Sequence, residues 1–271
     1  MTTQDVRDDT ALQQDWQDWH RDHEARRADP HGFLAITGLN FLDDFPQRVP
    51  DAPGEWSVAD DQVVVQLQPG EHLLLDGEPL EGRHILPVIP ERGGLTLISG
   101  DTAIEVATRG GLSIVRPRRP DHPLVREYAG TPAFPVSHEW VLPGHYEPFA
   151  EPQPTTVGAA VDGLEHVYDA PGRITFEYKG IRHTVLAFPG KDDGLQILFT
   201  DATAGRETVD SVRGLSVAAP SATGEVVLDF NRAVNLPCAY TPHATCPLPP
   251  AQNRLPFEVR AGEQQPAGAA R

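Results

Sequence analysis

The stretch "GRITFEYKGIRHTVLAF", residues 172–188, decides the fold. Two short strand-like runs meet at Lys179-Gly180, which reads as the turn of a β-hairpin. The same grammar recurs on both sides. Downstream lie "GLQILFTDATAGRETV" (194–209), bounded by the loops "PGKDDG" and "TDATAG", and then "EVVLDF" (225–230). Just upstream are "EWVL" (139–142) and "TTVGAAV" (155–161). Further back, "QVVVQL" places Val63, Val65 and Leu67 on one side of a strand, and "EHLLLDGEPL" sets Asp76-Gly77 between apolar runs. "LTLISG", "TAIEVAT" and "LSIVRP" follow, the last two separated by Gly110-Gly111. Many short strands at regular spacing, with no alternating βαβ pattern, predict an all-β protein: a barrel or a two-sheet sandwich of short antiparallel strands.

One helix is expected, over residues 10–28. Thr10 and Gln13 have the spacing of a capping box, Leu12, Trp16, Trp19 and His23 share one face, and Pro30 and Gly32 stop the pattern. Two tryptophans on one stripe imply a helix docked on the β body. The expected divisions are the helix at 1–31, a first β subdomain at 32–120 and a second at 121–271, forming one continuous unit.

Composition excludes several functions. The formal charge of -17 opposes binding to nucleic acid or to an anionic membrane surface. No run approaches the roughly eighteen apolar residues of a membrane span, and "MTTQDVRDDT" has the features of no secretory signal. These readings predict a soluble, cytoplasmic protein with neither a nucleic-acid nor a membrane partner; they leave its oligomeric state open. The two lysines, Lys179 and Lys191, sit in turn-like stretches, which argues against Schiff-base chemistry. Glycine-rich phosphate loops, nucleophile elbows and helix-borne zinc motifs are absent from the sequence. No cofactor and no metal is expected.

The most distinctive segment runs from Leu228 to Glu263, "LDFNRAVNLPCAYTPHATCPLPPAQNRLPFEVRAGE". It holds both cysteines and is stiffened by Pro237, Pro242, Pro247, Pro249, Pro250 and Pro256. Such a segment orders at small entropic cost, and it suits either a binding loop or a structural clasp across a β scaffold. Asp229, Asn231, Asn235 and Asn253 are candidate ligand-binding residues of this loop, and they are also suited to hydrogen-bonding the loop's own backbone. Arg213, Arg232 and Arg254 are candidates for an anionic group, because guanidinium forks match carboxylate and phosphate. Arg116, Arg118 and Arg119 form a second cationic cluster, which becomes a ligand site only if several arginines converge. Cys238, His243 and Cys246 are weak catalytic candidates: the spacing falls short of a four-ligand zinc motif, and no helix N-terminus activates a thiol.

The same segment resembles the ending of an uncharacterised bacterial and archaeal family, domain of unknown function 1684. The pieces that carry the likeness are "FNRAVNLPCAY", "TCPLPP", "NRL" and "AGE", with Val234 and Leu236 as departures. "LFTDATAGRETVDSVRGLSV" is similar to the family's strand, turn and G-R-x-L stretch, with Val209 and Val212 as departures. "GFLAITGLNFL" and "VRPRRPDHP" extend the likeness back to Gly32, with departures at Phe41 and Arg119. The resemblance implies one continuous unit and carries no reaction with it.

The resulting expectation is a binding protein for a small anionic molecule, its pocket closed by the proline-rich loop. The alternative is a hydrolase-type enzyme using a Cys/His pair or a bound metal.

Overall fold

The structure, a computed structural model, describes residues 3–267. The chain divides into two compact units. The first comprises Ala25–Ala129 with His243–Thr245; the second comprises the residues up to Glu24, Gly130–Pro242 and those from Cys246 on.

Within the first unit the strands are β1 (Asn40–Phe41), β2 (Gln47–Arg48), β3 (Glu55–Ala59), β4 (Gln62–Gln66), β5 (Leu73–Leu75), β6 (Glu78–Leu80), β7 (Arg83–Ile85), β8 (Gly94–Ser99), β9 (Thr102–Arg109) and β10 (Leu112–Arg118). They form a six-stranded sheet, β1-β10-β9-β8-β5-β6, and a four-stranded one, β2-β3-β4-β7. One apolar core draws Trp56, Val63 and Val65 from the smaller sheet and Leu97, Ile104, Val106 and Val115 from the larger. The alternation along each strand puts these residues on a single face, so two sheets close on each other as a sandwich.

The second unit carries β11 (Val141–Gly158), β12 (Glu165–Tyr178), β13 (Ile181–Pro189), β14 (Leu195–Phe199), β15 (Arg213–Val217), β16 (Glu225–Asp229) and β17 (Val234–Asn235). Their order is β16-β11-β12-β13-β14-β15-β17, an open antiparallel sheet. Of the two architectures expected, the sandwich stands: none of the three sheets closes into a barrel. Ile174, Phe176 and Tyr178 alternate inward from β12 and pack with Phe199, Leu228 and Phe230.

The hairpin read from residues 172–188 is present, with Tyr178 paired to Ile181 across Lys179-Gly180. Both turn residues have positive φ, 50° and 77°, the twist that joins antiparallel strands in two residues. Residues 141–158 differ from expectation. The end of "EWVL" (Val141-Leu142) and the start of "TTVGAAV" (Thr155–Gly158) belong to one 18-residue strand, β11, despite Pro143, Pro148, Pro152 and Pro154. Pro143 lies in the part paired with β16 and ahead of the β12 register, while the other three lie beyond the β16 pairing and around a register shift between Pro148 and Gln153. Each proline therefore falls where one side of the strand asks for no N–H.

The helix α1 runs Thr3–Arg27, so Thr10 lies inside it and the expected capping box is not its start. Nothing in residues 3–9 breaks a helix, and the pattern simply extends backwards. The docked stripe is confirmed within the second unit. Trp16 donates its ring N–H to the Asn231 carbonyl at 2.7 Å, and Arg232 pairs with Asp15 while lying over the Trp19 ring.

Candidate functional site

The proline-rich segment is a strap stitched to the second unit, and most of the polar residues singled out in it do the stitching. Asn253 is fully buried and sits where the register of β13 and β14 would bring Leu186 opposite Leu198. Its side-chain amide donates to both carbonyls, at 2.9 and 2.8 Å, and accepts from the Leu186 N–H at 2.7 Å. It replaces a missing length of strand pairing, which leaves none of these backbone groups orphaned. Asn231 plays the same part for Ser137, accepting from its N–H at 3.0 Å and donating to its carbonyl at 2.9 Å. Asp229 accepts from the Asn231 backbone at 3.1 Å and pairs with Arg232.

Arg213 is 1% exposed and turned inward. It meets Asp201 at 2.5 Å and donates to the carbonyls of Val259, Ala261 and Glu263, at 3.0, 2.7 and 3.4 Å. Three carbonyls two residues apart are what an extended strap presents to one side. Burial pulls the guanidinium's pKa down, while Asp201 and Glu263 hold it up, and it stays charged because an arginine does not lose its proton in a protein. Arg213 and Arg232 are thus engaged within the unit; of the three expected anion-binding arginines, Arg254 is the exposed one.

The strap ends on a polar cluster that sequence reasoning did not assemble. Glu263 is 1% exposed and accepts from the Asn235 N–H at 2.6 Å, with the Tyr240 hydroxyl at 3.5 Å. Tyr240 in turn shares a 2.8 Å hydrogen bond with Thr131, whose N–H donates to Glu24 at 3.0 Å. The His23 ring, stacked on Trp19, brings Nε2 within 3.5 Å of Glu263 Oε1. Gly262 makes this possible: at φ +71° it lets the strap press onto Ala233, where a Cβ would stand 2.4 Å from the carbonyl oxygen. The available signals were the histidine beside a tryptophan on the helix stripe and the terminal "AGE".

A second charged site lies in the first unit. Arg109, Arg116 and Arg118 all converge on the carboxylate of Glu105, with Arg116 gripping both oxygens at 2.7 and 3.0 Å. Burial pushes the Glu105 carboxyl up, but Arg116 and Arg118 outweigh it and hold the group below the usual carboxylate range. Arg119 does not join them; it pairs with Asp121 at 2.8 Å and Asp51 at 3.1 Å. An open cavity of about 320 Å³ is lined by Glu105, Arg109 and Arg118 together with His31 and Thr96. Two larger cavities in this unit, about 400 and 570 Å³, have no arginine or lysine in their walls.

Both cysteines are unlinked thiols. The Cys238 N–H donates to Cys246 Sγ at 3.3 Å, and the Ser211 hydroxyl lies 3.7 Å from Cys238 Sγ. A separate hydrogen bond from the Cys246 side chain, helped by Ser211, lowers the Cys238 pKa against the opposing effect of burial. His243 groups with the first unit, where burial and nearby His122 lower its pKa.

A family model described as "Protein of unknown function (DUF1684)" matches residues 126–264, just over half of the chain. The chain belongs to this family. The DUF1684 match takes in the strap from Leu228 to Glu263 together with Thr131, Asp201 and Arg213; His23, Glu24 and the Glu105 cluster lie outside it. Among solved structures, the chain is similar to the solution NMR structure of an uncharacterized protein of Haloarcula marismortui, at 26% identity over 52% of this chain and 80% of that one, with a TM-score of 0.44. No curated protein matches the chain. Among the described residues, no helix is long and apolar enough to cross a membrane.

Proposed function

We propose that this member of the DUF1684 family binds a small anionic molecule, and that the binding group is the arginine basin around Glu105 rather than the arginines of the strap. One observation carries the reading: three guanidiniums gather on one carboxylate beside an open cavity of about 320 Å³. That stoichiometry leaves a local excess of positive charge on a chain whose formal charge is -17. A purely structural pair would need one arginine, and Arg116 alone already meets both oxygens of Glu105. Arg109 and Arg118 line the cavity. A phosphate or carboxylate on the ligand would accept from such guanidinium forks. A volume near 300 Å³ lies at the lower end of small-molecule sites, which favours a compact ligand.

Calorimetric titration with inorganic phosphate, sulfate and a panel of small dicarboxylates and phosphate monoesters tests this. At least one anion should bind the native chain, and Arg118→Ala should weaken it by about tenfold or more, the loss of one charge-assisted contact. Arg118→Ala leaves Glu105 held by Arg116, so the variant should fold. No binding by any of these anions, or equal binding by Arg118→Ala, would overturn the proposal.

A further inference from the structure

We infer that the second unit contains a divalent metal site made by His23, Glu24 and Glu263. This is independent of the arginine basin and departs from the sequence reading, in which no metal was expected. One ligand atom from each of the three residues lies within 4.8 Å of the other two, an arrangement that no other set of three or more His, Cys, Asp or Glu side chains forms among the described residues. The separation of His23 Nε2 and Glu263 Oε1, 3.5 Å, is close to that of two donors sharing one ion at bonds of about 2.0–2.2 Å.

The surroundings hold these donors as a metal site requires. Outer-shell hydrogen bonds orient metal ligands. Here the Thr131 N–H fixes one oxygen of Glu24 and the Asn235 N–H fixes one oxygen of Glu263. The His23 ring is held flat against Trp19, at 5.2 Å and 15°. Tyr240 links the two carboxylate arms through Thr131. A separate observation points the same way. Asn235, 4% exposed and one hydrogen bond from Glu263, has a side-chain oxygen buried without a hydrogen-bond partner. Buried acceptors are rarely left so, and water on a metal is a donor of the kind this oxygen lacks.

Two carboxylates and one imidazole suit a first-row divalent ion such as Mn²⁺, Fe²⁺ or Zn²⁺. Three protein donors also leave coordination positions for water or a substrate oxygen, as in sites that do chemistry rather than sites that only brace a fold. The competing reading is that His23 and Glu263 merely form an ion pair that docks the helix.

The experiment uses the full chain stripped with EDTA and titrated with Mn²⁺, following the loss of the free-ion paramagnetic resonance signal. One equivalent should bind, Zn²⁺ should displace it, and Glu24→Gln and His23→Ala should each weaken binding by about tenfold or more. Glu24 is only half-buried, so Glu24→Gln carries the test if His23→Ala fails to fold. Arg118→Ala should bind Mn²⁺ like the native chain. Mn²⁺ remaining free at stoichiometric protein, or binding equally to the Glu24→Gln variant, would overturn the inference and leave the docking pair.

Discussion

The molecule uses arginine–carboxylate chemistry in two regions and to two different ends. Around Arg213 one guanidinium meets one carboxylate, both side chains 1% exposed, and the two terminal nitrogens also donate to strap carbonyls. Around Glu105 three guanidiniums meet one carboxylate, and Arg118 keeps 23% of its side-chain surface. The first arrangement is closed: the two charges match one to one and solvent is excluded, even though Arg213 Nε is left without a hydrogen-bond acceptor. The second is open, with an excess of donors and a cavity beside them. A charged cluster speaks for structure or for ligand according to its stoichiometry and exposure, not according to the residue types in it.

The comparison breaks most sharply at Asp201. Asp201→Asn strands a buried guanidinium and should cost about 3–5 kcal/mol in urea unfolding, seen as a lower midpoint at an unchanged slope. The double variant Asp201→Leu/Arg213→Met should lose less than the single one, because it removes the unpaired charge as well. A single-variant cost below about 1 kcal/mol would mean that the pair does not hold the strap.

A smaller effect is expected from pH at Glu105. Its folded pKa lies below the unfolded value of about 4.3, so its contribution is complete above that value and is lost as pH falls through the folded pKa. The stability gap between the native chain and Glu105→Gln should therefore narrow below about pH 4. Parallel stability curves down to acid unfolding would contradict this. The smallest effect is that of Arg118→Ala on stability, about 1 kcal/mol or less, since Arg118 is partly exposed and Glu105 keeps Arg116. A loss as large as that of Asp201→Asn would erase the distinction between the two regions.

Part of this was open to reading from sequence. Lys179-Gly180, Asp76-Gly77 and Gly110-Gly111 each form a two-residue turn between paired strands. The Gly110-Gly111 turn also fixes register: pairing Arg109 with Leu112 places Glu105 opposite Arg116 and Ala103 opposite Arg118. Counting outward from that turn would have found the core of the basin, whereas grouping Arg116, Arg118 and Arg119 by adjacency drew in a residue that pairs elsewhere. The proline-rich stretch 141–158 hid a continuous strand, because a proline's cost depends on which edge its nitrogen faces, and that is set by neighbouring strands.

The sequence by itself determined the all-β class, the hairpin turns, the helix stripe that docks through Trp16 and the stiffness of the strap. All of these rest on interactions between residues close in the chain, where backbone dihedrals and side-chain period decide the outcome. Tertiary structure alone decided that Arg213 faces Asp201, that Asn253 fills a gap between two strands, and that His23 and Glu24 meet Glu263. Each of these joins residues far apart in sequence, and local propensity carries no information about which buried polar group another segment will bring to satisfy it.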